Sequence, residues 1–168
     1  NYFPLCNYDL TRSYSGVVYK GIRYDDESIT YYHCADGILT AKWQWVHYNA
    51  MKDEYDTYNY TRILLKDNAK EGEPWTNRAS DGRYYTRYIV KRHPSFTVDG
   101  ETYIDVIQVR QLDKQYDWKT DKEIADYYEK LGSATELFAF GWEALYVTDF
   151  YYAKGKGEIL RQKITSKF

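Results

Sequence analysis

The chain has 168 residues, 21 of them Tyr, and aromatic residues together make up 19%. Its 23 Lys and Arg against 25 Asp and Glu leave a formal charge of −2, and the mean hydropathy is −0.76. No run approaches the ~18 apolar residues of a membrane-spanning helix. The balanced charge argues against nucleic acid, whose recognition needs a concentrated positive face. With only 3 Pro and 10 Gly beside this aromatic load, the chain reads as folded rather than disordered. Its length suits a single β-rich domain over residues 1–168.

Taken in order, the signals are mostly β. Val17–Tyr24 and Ile29–Cys34 read as strands separated by a polar break at Asp25-Asp26-Glu27-Ser28. Asp36-Gly37 is a tight-turn pair, because both residue types tolerate positive φ. It leads into Lys42–Tyr48, where Trp43, Trp45 and His47 alternate onto one face and Gln44, Val46 and Tyr48 onto the other. Residues 51–57 are polar and read as a loop, followed by a strand over Tyr58–Leu65. Asp67–Ser80 reads as a long surface loop with Trp75 isolated in it after Pro74.

Arg83–Lys91 reads as a strand with Tyr84, Thr86, Tyr88 and Val90 on one face and Arg83, Tyr85, Arg87, Ile89 and Lys91 on the other. His93-Pro94 reads as a strand end, since the residue before Pro is pushed to extended geometry. The clearest hairpin turns at Asp99-Gly100, and Thr102–Arg110 is the strongest strand by composition. One helix is predicted over residues 121–131. Thr120 and Glu123 suit a capping box, Ile124, Tyr127, Tyr128 and Leu131 form an apolar stripe, and Gly132 ends it. Residues 133–141 suit a helix or a strand. Ala144–Lys154 and Glu158–Ile164 read as strands joined at Gly155-Lys156-Gly157. Short intervals favour antiparallel neighbours, so the expected fold is a twisted antiparallel sheet forming a barrel or sandwich, with the helix at one end.

Chemistry-bearing motifs are scarce. There is no phosphate loop, no Gly-x-Ser-x-Gly elbow, and no metal-ligand spacing among His33, His47 and His93. Neither a cofactor nor a metal is expected, and the chain reads as non-enzymatic. Cys6 and Cys34 form an even pair that allows a disulfide; two reduced thiols are the alternative. The binding candidates are Trp75 and Trp118, which sit in polar surroundings, and Trp43 and Trp45, which share a strand face and suit the core better than a surface. An exposed indole is a flat apolar platform for the C–H face of a sugar.

Three phrases carry a resemblance. They are Tyr2-Phe3-Pro4-Leu5 at the start, Val98-Asp99-Gly100-Glu101-Thr102-Tyr103-Ile104-Asp105-Val106-Ile107 at the centre, and Tyr151-Tyr152-Ala153-Lys154-Gly155-Lys156-Gly157 near the end. In order and spacing the set resembles secreted lipoproteins of unknown function from Bacteroidota-type bacteria. Trp118–Gly141 is additional to that pattern. The resemblance implies an extracytoplasmic place at the cell surface or periplasm, associated with the outer membrane. Contact with the membrane would come only through a lipid on a Cys upstream of Asn1. The expected partner is a glycan or an outer-membrane protein. The competing readings are a structural subunit of a phage particle or surface filament, and a hydrolase using two facing carboxylates.

Overall fold

A computed structural model describes residues 2, 10–78, 84–114 and 144–164. The first sheet runs β1 (Leu10–Tyr14), β2 (Val17–Arg23), β3 (Ile29–Ala35), β4 (Ile38–Asn49) and β5 (Glu54–Lys66), each beside its neighbour in sequence. The second repeats the plan with β6 (Trp75–Arg78), β7 (Tyr84–Val98), β8 (Glu101–Lys114), β9 (Ala144–Ala153) and β10 (Gly157–Ile164). All pairings between neighbouring strands are antiparallel. Among the described residues neither sheet closes on itself, so the architecture is mainly β and sandwich-like rather than a barrel. The described residues contain no helix. The helix expected over residues 121–131 falls outside them, as does the ambiguous stretch 133–141.

Local chemistry sets the turns. Asp36 and Gly37 take φ of 51° and 76°, and Asp99 and Gly100 take 50° and 82°. Two successive positive-φ residues give the turn whose twist matches the strands it joins. At Gly37 a side chain would also meet the carboxylate of Asp67, whose N–H donates to the Gly37 carbonyl.

Several expectations change on contact with tertiary structure. A strand at β1 carried no recognised signal. Residues 54–57 are not loop but the start of β5. There the Tyr48–Tyr55 ring pair at 5.3 Å and the Asn49–Asp56 hydrogen bond tie together a ribbon that runs past the end of β3. His93-Pro94 is not a strand end. Pro94 lies within β7 opposite Asp105, which adopts φ 50°, and the ladder skips that one pair, as an N–H-less residue requires.

Trp75 is the largest correction. The expected surface ring in a loop is instead the first residue of β6 and 5% exposed. The pattern BiBe over Trp75–Arg78 turns Trp75 and Asn77 inward. The indole N–H donates to the carbonyl of Ile63, which satisfies the one polar atom that would oppose burial. Asn77 completes the joint, accepting from Ile63 N at 2.7 Å and donating to Ile63 O at 3.1 Å. One amide thus imitates a strand partner for β5 and links the edges of the two sheets. The core cluster draws from both, with Leu39 and Leu65 from the first sheet meeting Trp75, Ile89, Val109 and Tyr152 from the second.

Candidate binding groove

A groove of about 520 Å³ is lined by residues of both sheets. That lies within the roughly 300–1,000 Å³ of small-molecule sites. Its floor on the second sheet is set by register. Arg87 faces Gln111, Gln111 faces Thr148, and Phe150 and Thr148 face Arg161 and Lys163 on β10. Trp43, Arg62, Leu64, Tyr32 and Tyr24 line the opposite wall.

Two bulges shape the groove. Leu39 pairs with Leu65 but Thr40 with Ile63, so Leu64 is the extra residue, and its carbonyl accepts from Arg87 Nη1 at 2.7 Å. On β10, Glu158 pairs with Tyr152 but Leu160 with Tyr151, leaving Ile159 extra. Residues three apart on a regular strand point to opposite faces; the bulge returns Glu158 and Arg161 to the same one. They form a bidentate pair at 2.8 and 3.1 Å, and this bonding holds the Arg161 guanidinium above its ordinary pKa.

Arg87 is the centre of the floor. It is 1% exposed. Its Nε donates to Gln111 Oε1 at 2.7 Å, and its Nη1 donates to Leu64 O and to Tyr152 Oη at 3.0 Å. All three acceptors are neutral. Its guanidinium carbon lies 4.3 Å from the centre of the Phe150 ring, with that of Arg161 at 4.8 Å. Burial pushes the Tyr152 phenol above its ordinary pKa, against the lowering effect of Arg87. Across the groove, Trp43 stacks on Tyr60 at 5.3 Å and 9°, and the guanidinium of Arg62 lies over both Trp43 and Tyr85. Tyr24 and Tyr32 share a 2.6 Å hydroxyl contact; burial first, and that bond second, raise the Tyr32 pKa. Among the described lining residues, Arg62, Arg87, Arg161 and Lys163 are cationic and Glu158 is the one carboxylate, already paired.

The opposite face of the second sheet treats a half-buried arginine differently. Arg110 makes a bidentate pair with Asp149 at 2.8 and 3.0 Å, with side chains 17% and 5% exposed. Gln108 donates to the same carboxylate at 2.7 Å, and His93 Nε2 lies 2.9 Å from Gln108 Oε1. This bonding to Asp149 raises the Arg110 pKa.

Of the expected binding residues, the structure brings Trp43 to the groove. Trp45 stands on the β4–β5 ribbon beyond it, 49% exposed and stacked on Tyr58 at 5.7 Å. Trp75 is in the core, and Trp118 lies outside the described residues. Cys34 is half-buried, which pushes its thiol pKa up, and it forms no disulfide with any described residue; Cys6 lies outside the described residues. Among the described residues no group of three or more His, Cys, Asp or Glu is placed to hold a metal ion. Arg87 was the residue sequence reasoning missed. Its one signal was a charge on the same strand face as Ile89.

The fold and groove together define a sandwich-like antiparallel β protein with a cationic, aromatic-walled cleft. In comparisons with known proteins, no family model, no curated protein and no solved structure matches the chain.

Proposed function

We propose that this is a non-enzymatic, extracytoplasmic binding protein of the bacterial cell envelope, held as a lipoprotein, whose inter-sheet groove takes a glycan. The observation that carries the reading is the groove itself: a cleft of small-molecule size with the Trp43 ring on one wall and hydrogen-bonding side chains on the other. An indole supplies a flat apolar face for a sugar ring, and the polar groups opposite supply orientation. Among the described lining residues Glu158 is the one carboxylate and is paired with Arg161, whereas hydrolysis of a glycosidic bond uses two facing carboxylates. On a glycan array, wild-type protein should bind a defined set of sugars, and Trp43→Ala should weaken that binding by roughly tenfold or more, the scale of one stacking contact. A folded protein that binds no glycan, or a Trp43→Ala variant that binds as well as wild type, contradicts the reading.

A second reading, docking to an outer-membrane protein or assembly into a filament, is favoured by the β4–β5 ribbon. Its tip exposes Trp45, Val46, Tyr48, Met51 and Tyr55, with Tyr55 72% and Met51 98% exposed. Isolated exposed apolar residues are ordinary, but a cluster on a projecting hairpin marks a surface that partners use.

A further inference from the structure

We infer that the ligand of the groove carries an oxyanion, a carboxylate or a sulfate ester on a sugar ring, and that Arg87 receives it; this rests on the reading of the groove as a glycan site. Burying a guanidinium is costly unless it is paired, and the partner that usually offsets the cost is a carboxylate. The fold supplies one to Arg110, in the form of Asp149. Arg87 is buried more deeply, yet its three acceptors are an amide oxygen, a main-chain carbonyl and a phenol.

The donor count gives the geometry of the missing partner. Nε is committed to Gln111, and both Nη1 protons go to Leu64 and Tyr152. Nη2 donates to no described residue. An incoming anion would therefore meet Nη2 alone, not the two-nitrogen fork of the usual Arg–carboxylate pair.

The surroundings are biased the same way. The described lining residues hold four cations against one acid, in a chain whose formal charge is −2. A cleft lined by one sign of charge raises the local concentration of the opposite sign. Phe150 lies within cation–π range of both Arg87 and Arg161 and keeps the site apolar between them. The ligand chemistry this fits is an acidic sugar, its ring against Trp43 and its anion at Arg87.

Isothermal titration calorimetry with three probes tests this: a galacturonic acid trisaccharide, a sulfated galactose trisaccharide, and the uncharged galactose trisaccharide. At least one acidic probe should bind roughly tenfold to a hundredfold more tightly than the neutral one, the range of a charge-assisted hydrogen bond. Which acidic probe binds separates carboxylate from sulfate. The preference should shrink at high salt and vanish in Arg87→Gln. Arg161→Gln, altered at a groove side chain that is 61% exposed, should weaken acidic binding more than neutral binding. If Arg87→Gln does not fold, Arg87→Lys, which keeps the charge but loses Nη2, should lower the acidic preference, and an undiminished preference overturns the oxyanion at Arg87. Neutral binding as tight as acidic, still lost in Trp43→Ala, overturns the oxyanion and leaves the groove reading standing. Binding of none of the three overturns the oxyanion, and the glycan array then shows whether the groove reading falls with it.

Discussion

Two arginines, Arg87 fully buried and Arg110 half-buried, lie on opposite faces of one sheet and are treated in opposite ways. Arg110 is held by both oxygens of Asp149, inside a chain of hydrogen bonds that reaches through Gln108 to His93. Arg87, on the groove side, is given neutral acceptors only. The first arrangement is complete within the protein and needs nothing else. The second satisfies most of the donors of the guanidinium but leaves its charge without a counterion among the described residues. Position in the same sheet, even in the same strand pair, does not decide a buried charge's role; what closes its electrostatics does.

Breaking the complete arrangement should have the largest effect. Asp149→Asn leaves the half-buried Arg110 without its counterion and should destabilise the fold by about 3 kcal/mol or more in urea unfolding, the lower end of the cost for a buried pair. Arg87→Met removes a charge that has no counterion among the described residues, so its cost is confined to the hydrogen bonds that Gln111, Leu64 and Tyr152 lose, about 1 kcal/mol each. A loss well beyond the sum of those three bonds would erase the distinction.

A smaller effect should come from Asn77, which belongs with Arg110 among the self-contained polar groups. Asn77→Ala leaves the half-buried Ile63 N–H without its acceptor and should cost about 1 kcal/mol. Hydrogen exchange at Ile63 and its neighbours on β5 should accelerate first, because the joint between the sheet edges is there. Unchanged exchange on β5 would show that the apolar cluster alone holds the sheets together.

The smallest effect per group is alkaline. Burial holds the phenols of Tyr32, Tyr88 and Tyr152 above the ordinary value of 10.0. The folded chain keeps these protons at a pH where the unfolded chain has released them. Their contribution is whole below about pH 10, and stability falls above it by about 1.4 kcal/mol per pH unit for each phenol still protonated. Phenolate absorbance should then rise in two stages, exposed rings first and buried rings only as the chain unfolds. All 21 tyrosines titrating in one reversible step would contradict that.

The strands were legible because alternation and Asp-Gly turns are local signals. β2, β3, β8, β9 and β10 stand close to where the sequence placed them, β7 starts as expected but runs on through Pro94 to Val98, and the tyrosine excess is largely strand packing. What was not legible depends on partners distant in sequence. Trp75 looks exposed among Pro74, Thr76 and Asn77 until the Ile63 carbonyl, twelve residues earlier, is known to receive its N–H. Bulges at Leu64 and Ile159 change which face a residue meets, and nothing in the alternating pattern announces them. Of the groove, the sequence indicated Trp43. Arg87 read as one charge in an amphipathic strand, because a buried cation is recognised by its surroundings and not by its neighbours in the chain.

The central claim is that the charge of Arg87 awaits a ligand and that of Arg110 does not. Nitrogen-15 NMR of the arginine Nε–H groups, assigned by Arg87→Lys and Arg110→Lys, during titration with the galacturonic acid and sulfated galactose trisaccharides tests it most directly. The account predicts that one acidic probe shifts the Arg87 resonance saturably while the Arg110 resonance stays in place. An Arg87 resonance unmoved by both probes, or moving in step with that of Arg110, would contradict it.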